Sequence, residues 1–484
     1  MAKEFIIAIE LGSSRITGVA GKKNQDGSMS ILAVAQEDSS ACIRKGVVYN
    51  LDRTVLCLSN IIKKLETTLK AKIAHVYVGV GGQSIRSVKN VVPRDLPPET
   101  VVTQDIIDEL MDSNRGMTYP DQIILDAIMQ EYKVDNQYQL DPAGIQCGHL
   151  EGNFLNILWR RTFYNALNNC FNKAGIAIVE MYLAPLALAE SVLTETERRS
   201  GCMLVDMGAD TTTVSVYYKN ILRHIAVIPI GGNNITKDIA SLQMEESAAE
   251  EMKVKYGSAY TDNKDIDSKL ELPIDDDRKI TSRKFIEIVE ARTEEIVENA
   301  WYQMPTEYAD KMLGGIVLTG GGSNMPNIIE AFRKYTPIDK IRIAKFITRT
   351  VNSKLPEITA HDGRMNTVLG LLEKGDKNCA GEDINNDLFG TAPAKPGLTT
   401  ADIHKVARPV NETTGRGIVQ TEPERQLAEE EAAKKKEAAR KKEEEEAEAE
   451  RKRQEEEKRK EGGVFHKLAN GARSFFNQII KEEE

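Results

Sequence analysis

An acid, one spacer and a glycine close an apolar run twice in this chain: Glu10 and Gly12 in FIIAIELGSSRITGVAG, Asp206 and Gly208 in CMLVDMGADTTTVSVYY. Each run continues through small polar residues into a second β-branched stretch, the pattern of a buried strand that turns sharply at glycine into its partner. A glycine without Cβ lets backbone N–H groups approach a phosphate, and the hydroxyls of Ser13, Ser14, Thr211 and Thr212 add donors. The acid before the turn suits Mg²⁺ held through water, which places Glu10 and Asp206 as candidate metal residues. One such hairpin reads as a plain β-turn, whereas two with matched acids read as jaws around one nucleotide. A third element, GGIVLTGGGSNMPNI, runs from a strand into Gly320, Gly321 and Gly322 and predicts a helix capped near Ser323 or Asn324. Backbone this open lets a flat base or ribose lie against it. A fourth, ESAAEEMKVKYGSA, reads as a helix with Glu250 and Lys253 on one face, either a functional pair or an ordinary solvated one. No motif singles out a catalytic residue.

The elements around these motifs alternate strand and helix patterns over residues 1–372, an α/β reading. A length of 484 residues suits two or three domains, and an apolar fraction of 41% allows a sizeable core. A net charge of −10 argues against nucleic acid as a partner. The six cysteines form no CxxC pair and read as reduced thiols rather than a disulfide framework or zinc site. MAKEFIIAIELG has no signal-peptide pattern, and no apolar run approaches a membrane span, so the expectation is a cytoplasmic protein.

Beyond Gly375 the composition changes. Residues 375–423 read as a flexible linker. Residues 424–461 are nearly all Glu, Lys, Arg and Ala, with Glu430/Lys434, Glu437/Lys441 and Glu448/Lys452 at the favourable helical spacing. The tract has no apolar stripe, so it is a charged single helix of roughly 55 Å or a disordered spacer, not a coiled coil. Residues 462–484 contain an amphipathic pattern. Val464, Phe465, Leu468, Ala472, Phe475, Phe476, Ile479 and Ile480 fall on one face, with Lys467 and Arg473 on the other.

The four elements, in this order, resemble the nucleotide-binding signatures of the actin-like ATPase superfamily. The resemblance narrows with IMQEYKVDNQYQLDPAGIQCGHLEGNF, AGIAIVEMYLAPLALAESVLTETERRSGCMLVDMG, HIAVIPIGGNNITKDIA and MNTVLGLL, which are similar to segments of the bacterial cell-division FtsA family. It implies a two-lobed actin-like fold of duplicated ribonuclease-H-like domains with an FtsA-type 1C subdomain. By position, subdomain 1A is 1–83, completed by about 163–200 and 360–372, and 1C is 84–162. Subdomain 2A is 201–232 with 311–359, and 2B is 233–310. Gly12, Ser13 and Ser14 become the first phosphate loop, and Asp206, Gly208, Thr211 and Thr212 the second. Gly320, Gly321 and Gly322 come to lie by the adenosine, and Glu250 and Lys253 near base and ribose. The resemblance also implies ATP and Mg²⁺ as cofactors. The implied partners are FtsZ through 2B, further copies of the chain in filaments, inner-membrane lipids, and other divisome proteins through 1C. Glu10 stands where many superfamily members have Asp, and the charged tract exceeds the usual linker.

Two rival classes carry different requirements. A sugar-kinase-type phosphotransferase needs a carboxylate aimed at a hydroxyl nucleophile, and a chaperone ATPase needs a substrate-binding domain after the lobes. For residues 462–484 the alternatives are docking on the body and a reversible membrane-surface helix. About ninety residues of linker and charge disfavour docking, since connections to core helices are ordinarily short.

Overall fold

The computed structural model describes residues 4–381, apart from Ser268 and Asp276. Its first sheet is built on the strand Ile6–Leu11, whose continuous apolar run is buried on both faces as a central strand requires. Arg15–Lys23 and Met29–Asp38 follow antiparallel on one side, and His75–Val80 and Ala177–Leu183 parallel on the other. The second lobe repeats this plan. Cys202–Met207 is central, with Thr212–Tyr218 and Ile221–Ile228 antiparallel on one side and Gly315–Thr319 and Ile341–Ile343 parallel on the other. In both sheets the five strands, numbered in chain order, lie 5-4-1-2-3. The duplication suggested by the two hairpins is therefore a duplication of whole sheets, in the expected α/β two-lobed architecture.

The larger apolar core fills lobe one and extends to Cys202, Leu204, Ile225 and Val317 of the second sheet, and a separate core fills lobe two. In the first, helix Leu51–Leu69 starts at Asn50, whose side chain accepts from the Arg53 N–H at 3.1 Å, and buries Thr54, Leu58, Ile61 and Leu65 along one face. Helices Ala184–Val192 and Asn366–Lys374 pack on one another and bury almost every residue, in keeping with the apolar runs PLALA and VLGLL at their centres. In the second lobe, helices Gly232–Ala240, Glu246–Tyr256 and Ser282–Tyr302 pack beside the sheet, near a short hairpin of Glu271–Pro273 and Lys279–Thr281.

Between the first lobe's strands lies an insert. Strands Arg86–Val101, Gln122–Val134 and Gln146–Arg160 form an antiparallel sheet, covered by helix Gln104–Arg115 over a small core of Leu110, Leu150 and Phe154. The insert is covalently part of lobe one, yet its sheet continues that of lobe two through the pair Arg86–Ala226. Arg223, only 5% exposed, reinforces the join by donating to Gln130 Oε1 at 3.2 Å and Glu131 Oε1 at 3.3 Å.

The expected start of the linker at residue 375 needs correction. Residues 376–381 are stitched onto lobe one. The Tyr77 hydroxyl accepts from the Asp376 and Lys377 N–H groups, and Cys379 N–H donates to Phe5 O at 2.7 Å. Ala74 N–H reaches Cys379 O at 2.9 Å and Gly381 N–H reaches Lys72 O at 2.7 Å. Polar composition concealed this because the segment is held by backbone bonds and one buried thiol rather than by an apolar stripe. The rest of the linker, the charged tract 424–461 and the amphipathic segment 462–484 lie outside the described residues. Among the described residues no helix is long and apolar enough to cross a membrane.

Candidate nucleotide site

The two hairpin turns have the same construction. Gly12 N–H donates to Arg15 O at 3.1 Å, and Gly208 N–H donates to Thr211 O at 2.8 Å. A Cβ on either glycine would sit 2.8 Å from that same carbonyl oxygen, so both turns demand glycine. Two further carbonyls of each turn are tied back by flanking segments. In the first turn, Ser39 donates from its hydroxyl to Gly12 O at 2.6 Å and from its N–H to Ser14 O at 3.1 Å. In the second, Gly232 and Asn233 at the start of helix Gly232–Ala240 donate to Gly208 O at 3.0 Å and Ala209 O at 2.7 Å. No other described residue partners the N–H groups of Ser13, Ser14, Ala209 and Asp210. Turns whose carbonyls are largely engaged and whose N–H groups are left free suit an anion.

The acids occupy equivalent positions, each next to last in its strand, opposite Thr17 and Thr213 respectively. Both residues are partly buried. Burial, together with the negative charge of Asp206, pushes Glu10 up to about 8. The Thr367 hydroxyl and the Val368 N–H favour the charged form of Glu10 and partly offset this. Burial pushes Asp206 up to about 6. Two buried carboxyls, both held back from ionising and one of them also by the charge of the other, suit a cation. Among the described residues no group of three or more ligating side chains is assembled. Two acids alone match a magnesium ion that keeps most of its water.

The glycine-rich third element abuts this pair. Gly315–Thr319 runs parallel to Cys202–Met207 with Thr319 beside Asp206. Gly320 has φ +81°, and a Cβ there would meet Asp206 Oδ1 at 2.4 Å, so glycine is needed on both counts. The following helix is Ile328–Tyr335 and begins at Asn327, not near Ser323 or Asn324. Pro326 disfavours the helical conformation at the residue before it, and Gly321–Asn324 forms a short 3₁₀ turn instead. Ser323 and Asn324 close that turn, donating to Gly320 O at 2.7 Å and Gly321 O at 3.2 Å.

Glu250 and Lys253 lie on the predicted helix and do more than face solvent. Lys253, 11% exposed at its side chain, donates to Gly232 O at 3.1 Å and Thr236 Oγ1 at 2.9 Å, and pairs with Glu250 at 2.6 Å. Burial works to raise Glu250, but Lys253 and Thr236 outweigh it and hold the carboxyl below its ordinary value. The pair therefore braces the glycine start of the helix that supports the second turn. Arg364 adds a positive charge felt by Glu250, and its Nε lies 3.7 Å from where a Cβ on Gly321 would be.

One predicted hydroxyl donor, Thr212, is otherwise engaged, whereas Ser13 is held in place but keeps its O–H free to donate. Thr212 is buried and donates to Ile230 O at 2.9 Å, so its side chain does not face a ligand. Ser13 Oγ accepts from the Gly46 N–H at 2.9 Å. Sequence reasoning passed over Thr367, Arg364, Asn233 and Asp210. The GGNN stretch at Gly231–Asn234, a strand running into a glycine-led helix, was a usable signal for the third of these.

Residues 203–369 match the family described as cell division protein FtsA, and residues 82–158 match the SHS2 domain inserted in FtsA. The cell division protein FtsA of Porphyromonas gingivalis is 32% identical over 361 residues, covering 72% of this chain and 75% of that protein. That of Neisseria meningitidis is 32% identical over 340 residues, covering 69% and 82%. Among solved structures, a chain of the PilM-PilN type IV pilus biogenesis complex matches with a TM-score of 0.54 at 15% identity. It covers 76% of this chain and 97% of that one, a likeness of fold alone.

Proposed function

Because the chain belongs to the FtsA family of cell-division proteins, we propose that it is an ATP-binding, actin-like protein that polymerises on the cytoplasmic face of the membrane and anchors FtsZ there. The observation behind this reading is the pair of matched turns, each offering free N–H groups, with Asp206 close enough to Glu10 for its charge to hinder the ionisation of Glu10. The amides of Ser13, Ser14, Ala209 and Asp210 would take phosphate oxygens. Gly320, Gly321 and Gly322 would lie against the adenosine, near Glu250, Lys253 and Arg364. Mg²⁺, held through water by Glu10 and Asp206, would neutralise the phosphate chain. The chemistry serves assembly more than turnover, with at most weak ATP hydrolysis.

The membrane contact falls to residues 462–484. Phe475, Phe476, Ile479 and Ile480 would enter the interface while Lys467 and Arg473 face the headgroups. One such helix binds reversibly, with a strength like that of one fatty chain, on the order of 10⁴ M⁻¹. A filament presenting many helices holds by avidity. Residues 233–310 are the proposed FtsZ-binding subdomain, and the insert the site for other divisome proteins. Co-sedimentation of the full chain with liposomes and FtsZ, with and without ATP, tests the whole reading. FtsZ should pellet with liposomes only when the chain is present, and more so with ATP; FtsZ left in the supernatant under every condition contradicts it.

A further inference from the structure

Asp210 lies in the second turn, among the N–H groups assigned to phosphate. Its carboxylate already has partners from both lobes. Oδ1 accepts from Asn233 Nδ2 of lobe two at 2.7 Å, and Oδ2 accepts from the Lys45 N–H of lobe one at 3.0 Å. Lys45 and Gly46 form the tight turn between Ile43–Arg44 and Val47–Val48, with φ of +50° and +72°. The next amide, Gly46 N–H, donates to Ser13 Oγ of the first phosphate turn. A single anionic side chain thus links the two lobes where the two phosphate turns face each other. The elements assigned to base and ribose are contributed from elsewhere, by Gly320–Gly322 and helix Glu246–Tyr256.

A carboxylate and a phosphate want the same partners, and at one site their negative charges oppose each other. Resting on the nucleotide reading of the cleft, we propose that Asp210 is an internal competitor for the terminal phosphate of the nucleotide. Without nucleotide, its carboxylate occupies the Lys45 N–H and the Asn233 amide and holds the lobes by a bond across the cleft. A γ-phosphate arriving between the turns displaces the carboxylate and takes its place. ADP ends short of that position and leaves the link intact. Asp210 therefore lowers affinity for ATP relative to ADP, and makes release of the cross-lobe bond specific to the triphosphate.

The test is a competition titration on the full chain at fixed Mg²⁺, in which ATP and ADP each displace a fluorescent ATP analogue from wild type, Asp210→Asn and Asp210→Ala. Thermal unfolding of each variant establishes that it is folded, and the near-isosteric Asn variant serves if Ala is not. Both variants should shift the ATP-to-ADP affinity ratio towards ATP by about tenfold, the scale of one charge-assisted hydrogen bond removed from the competition. A purely structural role weakens both nucleotides alike, and an unchanged ratio overturns the proposal. So does a ratio that falls, which would make Asp210 a phosphate-supporting residue. If wild type and variants bind no nucleotide, the nucleotide reading itself fails and this proposal falls with it.

Discussion

Glu10 is a buried acid whose ionisation is set by its neighbours. Burial and the charge of Asp206 hold its proton on, while the Thr367 hydroxyl and the Val368 N–H at the start of helix Asn366–Lys374 favour the charged form. A carboxyl raised in this way keeps its proton in the folded chain at pH values where the unfolded chain has lost it. Stability of the ligand-free protein should therefore decline as pH rises from 4.5 towards about 8, with Asp206 adding to the decline from 3.8 to about 6. Thermal unfolding between pH 6 and pH 8.5 should show a falling midpoint for wild type and a flatter profile for Glu10→Gln. Equal slopes would remove Glu10 as the cause. Mg²⁺ with ATP should restore the wild-type midpoint at high pH, by binding only the folded state. The acids were legible in the sequence because an acid, a spacer and a glycine recur after two apolar runs. The link from Glu10 to Thr367 was not, since it joins residues more than 350 positions apart.

At the scale of elements, the hairpins carry the site and their glycines carry the hairpins. Gly208→Ala places a Cβ 2.8 Å from Thr211 O, and should cost about 1–3 kcal/mol of stability while abolishing nucleotide binding. Chemical denaturation with a parallel binding titration checks both parts; a variant as stable as wild type would mean that the turn relaxes freely. The clamp on residues 376–381 depends on the Tyr77 hydroxyl. Tyr77→Phe leaves the Asp376 and Lys377 N–H groups without that acceptor and should lower stability by about 1–2 kcal/mol, read from the denaturation midpoint. Strand, turn and helix patterns were readable wherever hydrophobic period and glycine placement agree. They failed where a single residue decides, as Pro326 does in delaying the helix to Asn327. They also failed where backbone bonds alone hold a polar segment, as after Gly375. Neither feature leaves a periodic trace.

At the scale of the molecule, the insert is attached to lobe one by the chain and to lobe two by Arg223 and the Arg86–Ala226 pair, so it spans both lobes. No local pattern in the sequence announces that join, because it depends on sheets formed far apart in the chain. The membrane contact of residues 462–484 was read from an amphipathic pattern and a family resemblance, and its test belongs at this scale. Phe475→Glu combined with Phe476→Glu should release the full chain from liposomes in a sedimentation assay, and leave ATP binding unchanged. Retention on the lipid would refute the membrane reading of residues 462–484.

The claim on which all else rests is that the two matched turns close on one nucleotide with its metal. Calorimetric titration of ATP into the full chain, with and without Mg²⁺, tests it directly when wild type is compared with the double variant Glu10→Gln, Asp206→Asn. The account predicts one ATP per chain for wild type, bound more tightly with Mg²⁺, and a double variant in which the Mg²⁺ enhancement is lost. Undiminished Mg²⁺-dependent binding by the double variant, or no binding by wild type, would contradict it.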